Sequence, residues 1–141
     1  MVATSGSFEL QGAITITAEK GNAAITKGDV VSLSSNKWIR AATSATGPLA
    51  VAISTEVAAA TTVDLILEGI VYVVSDGVIN PNASLVVSAS TAGQVQATAT
   101  PFATGVLGQY LGHENEPDGT TVPTAAADGD IIRIKLGGAR A

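Results

Sequence analysis

His113 is the only histidine in the chain and stands in Gly112-His113-Glu114-Asn115-Glu116-Pro117-Asp118-Gly119, its most polar stretch. An imidazole among carboxylates is a residue set for general acid–base work, and a carboxylate-rich loop can hold a hard cation through oxygen ligands. The spacing matches neither chemistry. It lacks the twelve-residue EF-hand pattern, with glycine at the sixth position and a closing bidentate glutamate. A Ser-His-Asp triad would have to pass through His113, yet no Gly-x-Ser-x-Gly elbow occurs. With no cysteine, thiolate nucleophiles, thiolate metal sites and disulfides are all absent. The other carboxylates are spread along the chain and most lie beside glycine or in turns, as in Gly28-Asp29, Asp76-Gly77 and Asp128-Gly129. That is turn composition rather than a catalytic carboxylate pair. The glycines punctuate short apolar runs and do not open helices, so no phosphate cradle is formed. The residues therefore point to no catalytic, metal-binding or cofactor-binding site and to no cofactor. The chain is read as a non-enzyme, with His113 to Thr124 a solvated connection.

The elements around these residues follow from composition. At 141 residues the chain suits one domain able to bury roughly two-thirds of its unfolded surface. Hydrophobic residues make up 46% but aromatics only 4%, so the core must be built from Val, Ile, Leu and Ala. Trp38 is expected to fill that core; on the surface it would be a sugar-stacking platform instead. The seven Lys and Arg are scattered along a chain of net charge −5, which leaves no basic patch for nucleic acid. No apolar run reaches the roughly 18 residues of a membrane helix, and the first residues lack the basic start and apolar core of a signal peptide. The expectation is a soluble protein that binds neither nucleic acid nor membrane.

Ala13-Ile14-Thr15-Ile16-Thr17 alternates in the period of a half-buried strand. Further strands are expected at 29–34, 38–41, 49–53, 63–67, 70–74, 84–88, 94–97, 105–111 and 130–136. Short runs separated by Gly, Asn, Asp or Pro are the signature of a sandwich or barrel. The best helical candidate is Thr55-Glu56-Val57-Ala58-Ala59-Ala60, about one and a half turns. Residues 1 to about 12 are rich in Ser, Thr and Gly and read as an arm with Phe8 and Leu10 as its possible anchors. The division is therefore 1–17, arm and first strand, and 18–141, a single β-barrel-like domain.

Parts of the chain occur twice. Ile25-Thr26-Lys27-Gly28-Asp29-Val30-Val31-Ser32 is echoed by Ile79-Asn80-Pro81-Asn82-Ala83-Ser84-Leu85-Val86-Val87-Ser88, and Ala45-Thr46-Gly47-Pro48-Leu49 by Ala103-Thr104-Gly105-Val106-Leu107. Each half closes on an apolar strand ending in glycine, Val63 to Gly69 and Asp130 to Gly137, and an alanine tract precedes each closing strand. Two copies of roughly 60 residues are too few for an open solenoid, which needs about three, but suffice to complete one barrel or sandwich. The fold class expected is all-β: a compact β-barrel, β-tulip-like or sandwich domain from two quasi-repeated halves, with an extended N-terminal arm and little helix.

Lys27-Gly28-Asp29-Val30-Val31, Gly47-Pro48-Leu49-Ala50-Val51-Ala52, Leu67-Glu68-Gly69-Ile70-Val71, Gly105-Val106-Leu107-Gly108 and Gly129-Asp130-Ile131-Ile132-Arg133-Ile134-Lys135-Leu136 together resemble the small capsid decoration, or head-stabilising cement, proteins of tailed bacteriophages. The resemblance spans residues 24 to 137. It implies a homotrimer on the outer capsid surface at three-fold or quasi-three-fold positions, partnered by the major capsid protein and resisting the pressure of packaged DNA. The longer arm and the His113 to Thr124 segment depart from the shorter members. An extended arm can add a strand to a partner's sheet edge, and Phe8, Leu10, Ile14 and Ile16 are spaced to contact the capsid in that way. Few charges and much apolar content independently suggest self-association. The alternative is a carbohydrate-binding or adhesive β-sandwich on a phage or bacterial surface, which would need an exposed aromatic platform.

Overall fold

Period-2 runs of β-branched residues, interrupted every few positions by turn formers, leave the backbone little choice but short strands. The computed structural model describes residues 13–99, 105–113 and 124–137, and every regular element among them is a strand. These are β1 (Ile14–Glu19), β2 (Val30–Ser34), β3 (Lys37–Arg40), β4 (Leu49–Ala52), β5 (Thr62–Val74), β6 (Ser84–Val87), β7 (Val95–Thr98), β8 (Gly108–His113) and β9 (Ile131–Leu136). All strand pairs are antiparallel, in the order β3-β2-β4-β5-β9-β8-β6-β7, with β1 pairing β5 off this path. Of the barrel and the sandwich, a curled half-barrel sheet is what forms. The β2–β3 hairpin turns through Ser35 and Asn36, both at positive φ (51° and 65°), the backbone of a two-residue type I′ loop.

The strand order is the same read inward from either end, and this is the repeat made visible. β2, β3, β4 and the first part of β5 correspond to β6, β7, β8 and β9. Register confirms it: Val30↔Val51 and Val31↔Ala50 in the first half match Ser84↔Gln109 and Leu85↔Gly108 in the second. The connections repeat as well. An antiparallel bridge Ile25↔Glu56 matches Ile79↔Ala126, and a parallel bridge Lys20↔Trp38 matches Ser75↔Val95. Each parallel bridge ties the end of a half's opening strand to its third strand and so brings the curled sheet back toward itself.

One expectation fails. Thr55–Ala60 is a turn, not a helix. One and a half turns of helix do not repay the cost of nucleation, whereas Glu56 gains two backbone hydrogen bonds with Ile25, at 3.0 and 2.8 Å. Both alanine tracts serve this same bridging role.

β5 is the joint of the molecule. Its 13 residues merge two runs expected as separate strands. Thr62–Glu68 pairs with β1, and the segment after it, Gly69–Val74, pairs with β9. The second segment thus stands to the second half as β1 stands to the first. Gly69, at φ 130°, is where the strand passes between halves, a conformation that favours a residue without a Cβ.

Alternation sorts the side chains between two apolar clusters. Val31, Trp38, Ala50, Ala52, Val63 and Leu65 fill the first half. Their neighbours Val30, Ala41, Leu49, Val51 and Ile66 point the other way and join the second half's Ile79, Leu85, Val95, Tyr110, Ile132 and Ile134 in one larger cluster. Each of these side chains contributes about 1.5–3 kcal/mol on full burial, so the contact between halves is a major part of the stability. At matched positions the halves exchange bulk: Trp38 with Ala52 in the first becomes Val95 with Tyr110 in the second. Each half thus buries one of these two rings, on β3 in the first and on β8, the counterpart of β4, in the second.

Lys20 is 3% exposed; its ammonium donates to the carbonyls of Gly21 (2.8 Å) and Ala58 (3.1 Å). At the equivalent position Ser75 is fully buried and donates to the carbonyl of Ala127 at 2.7 Å. Two unlike side chains thus tether the same loop in the two halves.

Gly108 packs so closely on β9 that a Cβ there would lie 2.0 Å from the Lys135 carbonyl oxygen. Because that neighbour is backbone, it cannot rotate away. Gly108→Ala is expected to destabilise the fold by about 3 kcal/mol. Thermal unfolding followed by circular dichroism should show a drop on the order of 10 °C.

Candidate functional site

The residues with the most obvious chemistry are tied into structure. His113 closes β8, where its Nε2–H donates to the Ala125 carbonyl at 2.6 Å and Nδ1 lies 3.3 Å from an Asp130 carboxylate oxygen. Its ring meets that of Tyr110 edge to face at 6.4 Å. The imidazole therefore fastens the segment that leads into β9 to the end of β8. Residues 114–123, with most of the polar segment, lie outside the described residues. Asp29 accepts from the Thr26 amide at 2.8 Å and from Arg40 Nε at 2.9 Å, and Asp130 accepts from the Ala127 amide at 2.8 Å. The same side-chain-to-backbone turn thus precedes β2 and β9. Asp128 accepts from the Gly77 amide at 2.8 Å, and Asp76 accepts from the Ser88 hydroxyl. Among the described residues no three His, Asp or Glu converge as a metal site, and every buried side-chain polar atom has a partner.

Trp38 is 8% exposed within the first half's core, as expected, and so offers no stacking platform. Of the proposed capsid contacts, Phe8 and Leu10 lie outside the described residues. Ile14 and Ile16 are both exposed but belong to β1, where they pair with Glu68 and Leu65. They sit on the chain's own sheet, with Thr17 donating to the Asp64 carboxylate at 2.6 Å beside them.

One concavity was not foreseen. A groove of about 500 Å³ runs along the second part of β5. Five consecutive residues, Ile70 to Val74, line it, and Lys27-Gly28 and Ala52-Ile53 of the first half face them. Ile70 and Tyr72 are 62% and 46% exposed, and Ile131 on β9, also in the lining, is 44% exposed. The only sequence signal was the merging of two apolar runs across Gly69, which leaves the outward residues of a long strand without a cover. What this arrangement can do is bind an apolar or extended protein surface; it assembles no reacting groups.

No protein-family model and no curated protein matches the chain. Among solved structures, the chain is similar to the crystal structure of the head fiber gp8.5 N base of bacteriophage phi29. The TM-score is 0.61 at 13% sequence identity, over 88% of this chain and 93% of that one. At this identity the likeness establishes a shared fold, and it extends over nearly the whole of both chains.

Two outcomes follow. Acrylamide should quench Trp38 fluorescence only weakly in the native protein, and glycans should leave the emission unchanged; strong quenching would contradict the buried position. His113→Ala should cost about 1 kcal/mol in urea unfolding, the scale of a lost hydrogen bond.

Proposed function

We propose that this chain is a structural protein of a phage virion that binds the outer surface of the capsid, as a trimer at three-fold or quasi-three-fold positions, and stabilises the shell against the pressure of packaged DNA. Its partners are the major capsid protein and other copies of itself. The observation that carries this reading is the fold shared with a phage head fiber base across nearly the full length of both chains. The sequence resemblance to capsid decoration proteins, made on different grounds, points to the same class of virion component.

The chemistry of the chain is consistent with that role. A protein acting by attachment needs contact area and many copies rather than reacting groups, and weak sites gain strength when neighbours engage together. The titratable side chains described above are committed to turns and tethers, while the apolar surface is left outside. A sugar-binding reading loses its main support with Trp38 inside the core.

We assign first contact with the capsid to Phe8, Leu10, Ile14 and Ile16. The direct test is co-sedimentation with expanded and unexpanded capsid shells. Saturable binding to expanded shells is expected. The pair Phe8→Ala and Leu10→Ala, which leaves β1 in place, should weaken it at least tenfold, about 1.4 kcal/mol. Absence of binding to either shell form would overturn the proposal.

A further inference from the structure

The two halves provide an internal control, because equivalent positions share strand pairing and register while their side chains differ. The outer face of β1 and the first part of β5 carries Thr15, Thr17 and Glu19 against Thr62 and Asp64. The same face in the second half carries Ile70, Tyr72 and Val74 against Ile131 and Arg133, by the registers Thr17↔Asp64 and Tyr72↔Arg133. Where the first half presents threonine to solvent, the second presents isoleucine and tyrosine. Solubility alone would favour the first pattern in both places.

Charge divides along the same line. β1 and Thr62–Glu68 contain Glu19, Asp64 and Glu68, all exposed, and no Lys or Arg. Gly69–Val74 and β9 contain Arg133 and Lys135 and no Asp or Glu, and Lys27 adds a third cation at the groove. In a chain of net charge −5, one such face is acidic and its structural counterpart is basic and apolar. A smaller hollow on the acidic side, lined by Thr15, Ile16, Thr17, Asp64 and Ile53, shares Ile53 with the apolar groove. The two faces therefore adjoin at an edge and are not back to back.

We infer that copies of this chain associate head to tail, the basic apolar face of one (Ile70, Tyr72, Ile131, Lys27, Lys135) seating on the acidic face of the next (Thr17, Glu19, Asp64). This deepens the trimer reading above and rests on it. A cyclic trimer requires two different, complementary patches on each subunit, unlike a two-fold dimer, which pairs one patch with itself. Adjoining patches turn each added copy through a large angle and so favour a small closed ring over a filament. The opposite charges select this pairing against like faces meeting.

The test uses the full chain in light scattering and sedimentation velocity at micromolar concentration, in low and high salt. The wild type should run at three times the 14.0 kDa chain mass. Reversing one face, by Lys27→Glu with Lys135→Glu, should yield monomers, as should Glu19→Lys with Asp64→Lys on the other. Mixing the two variants should restore association, because each then offers the face the other lacks. Unfolding midpoints within a few degrees of wild type show that each variant is folded, and Lys135→Gln provides a milder version. A monomeric wild type, or variants that stay associated, overturns the inference, as does a mixture that stays monomeric. Shell binding by a monomeric wild type would leave capsid attachment standing while removing the ring, so the two proposals fail separately.

Discussion

The fold depends on β5 being held on register in two places at once. Its first segment must meet β1 and β4, and its second must meet β9, with one glycine between them. Side chains alternate with a period of two, so a slip of one residue on either side of Gly69 would turn Leu65 or Val73 out to water and bring Asp64 or Tyr72 in. The pattern on each segment thus locks its own half, and the covalent strand locks the halves to each other. The apolar row Val30, Val51 and Ile66, which leaves the first half and enters the second half's cluster, completes that coupling.

The same row explains why the repeat stops at two. Its counterparts in the second half are Ser84, Gln109 and Lys135, reached through the registers Ser84↔Gln109 and Gln109↔Lys135. Val, Val and Ile have become Ser, Gln and Lys at the one surface where a third unit would have to pack. Repeat proteins need such polar terminal faces to remain soluble, and here the second half is its own cap. With that growth surface closed, the apolar side chains left outside lie at the groove beside the second part of β5, where a neighbouring molecule is proposed to sit. The division of labour is physical: one face of each half is spent on folding, and another is left outside, where assembly is proposed.

Much of the architecture was legible because it rests on local pattern. The strands fall within a few residues of the runs that announced them, and the alanine tracts before the closing strands mark equivalent loops. Gly28-Asp29 and Asp128-Gly129 form turns as their composition required. The alanine-rich Thr55–Ala60 misled, since helix propensity is a small term beside a backbone pairing with Ile25 that lies 31 positions upstream of Glu56. Lys20 was equally opaque. A lysine following Glu19 reads as a surface charge, but its burial is offset by the carbonyls of Gly21 and of Ala58, the second brought there by the loop.

By itself the amino-acid sequence determined the class of structure and the doubling of the chain. Each of these follows from residue type and spacing along the backbone. The tertiary structure alone decided which strand is shared between halves, which of two adjacent valines, Val30 or Val31, faces which core, and that Ile70, Tyr72 and Ile131 share one groove with Lys27. These are relations between residues far apart in the chain. Pairing energies between strands are similar for many partners, so the choice among them is made by how the whole set of side chains packs at once.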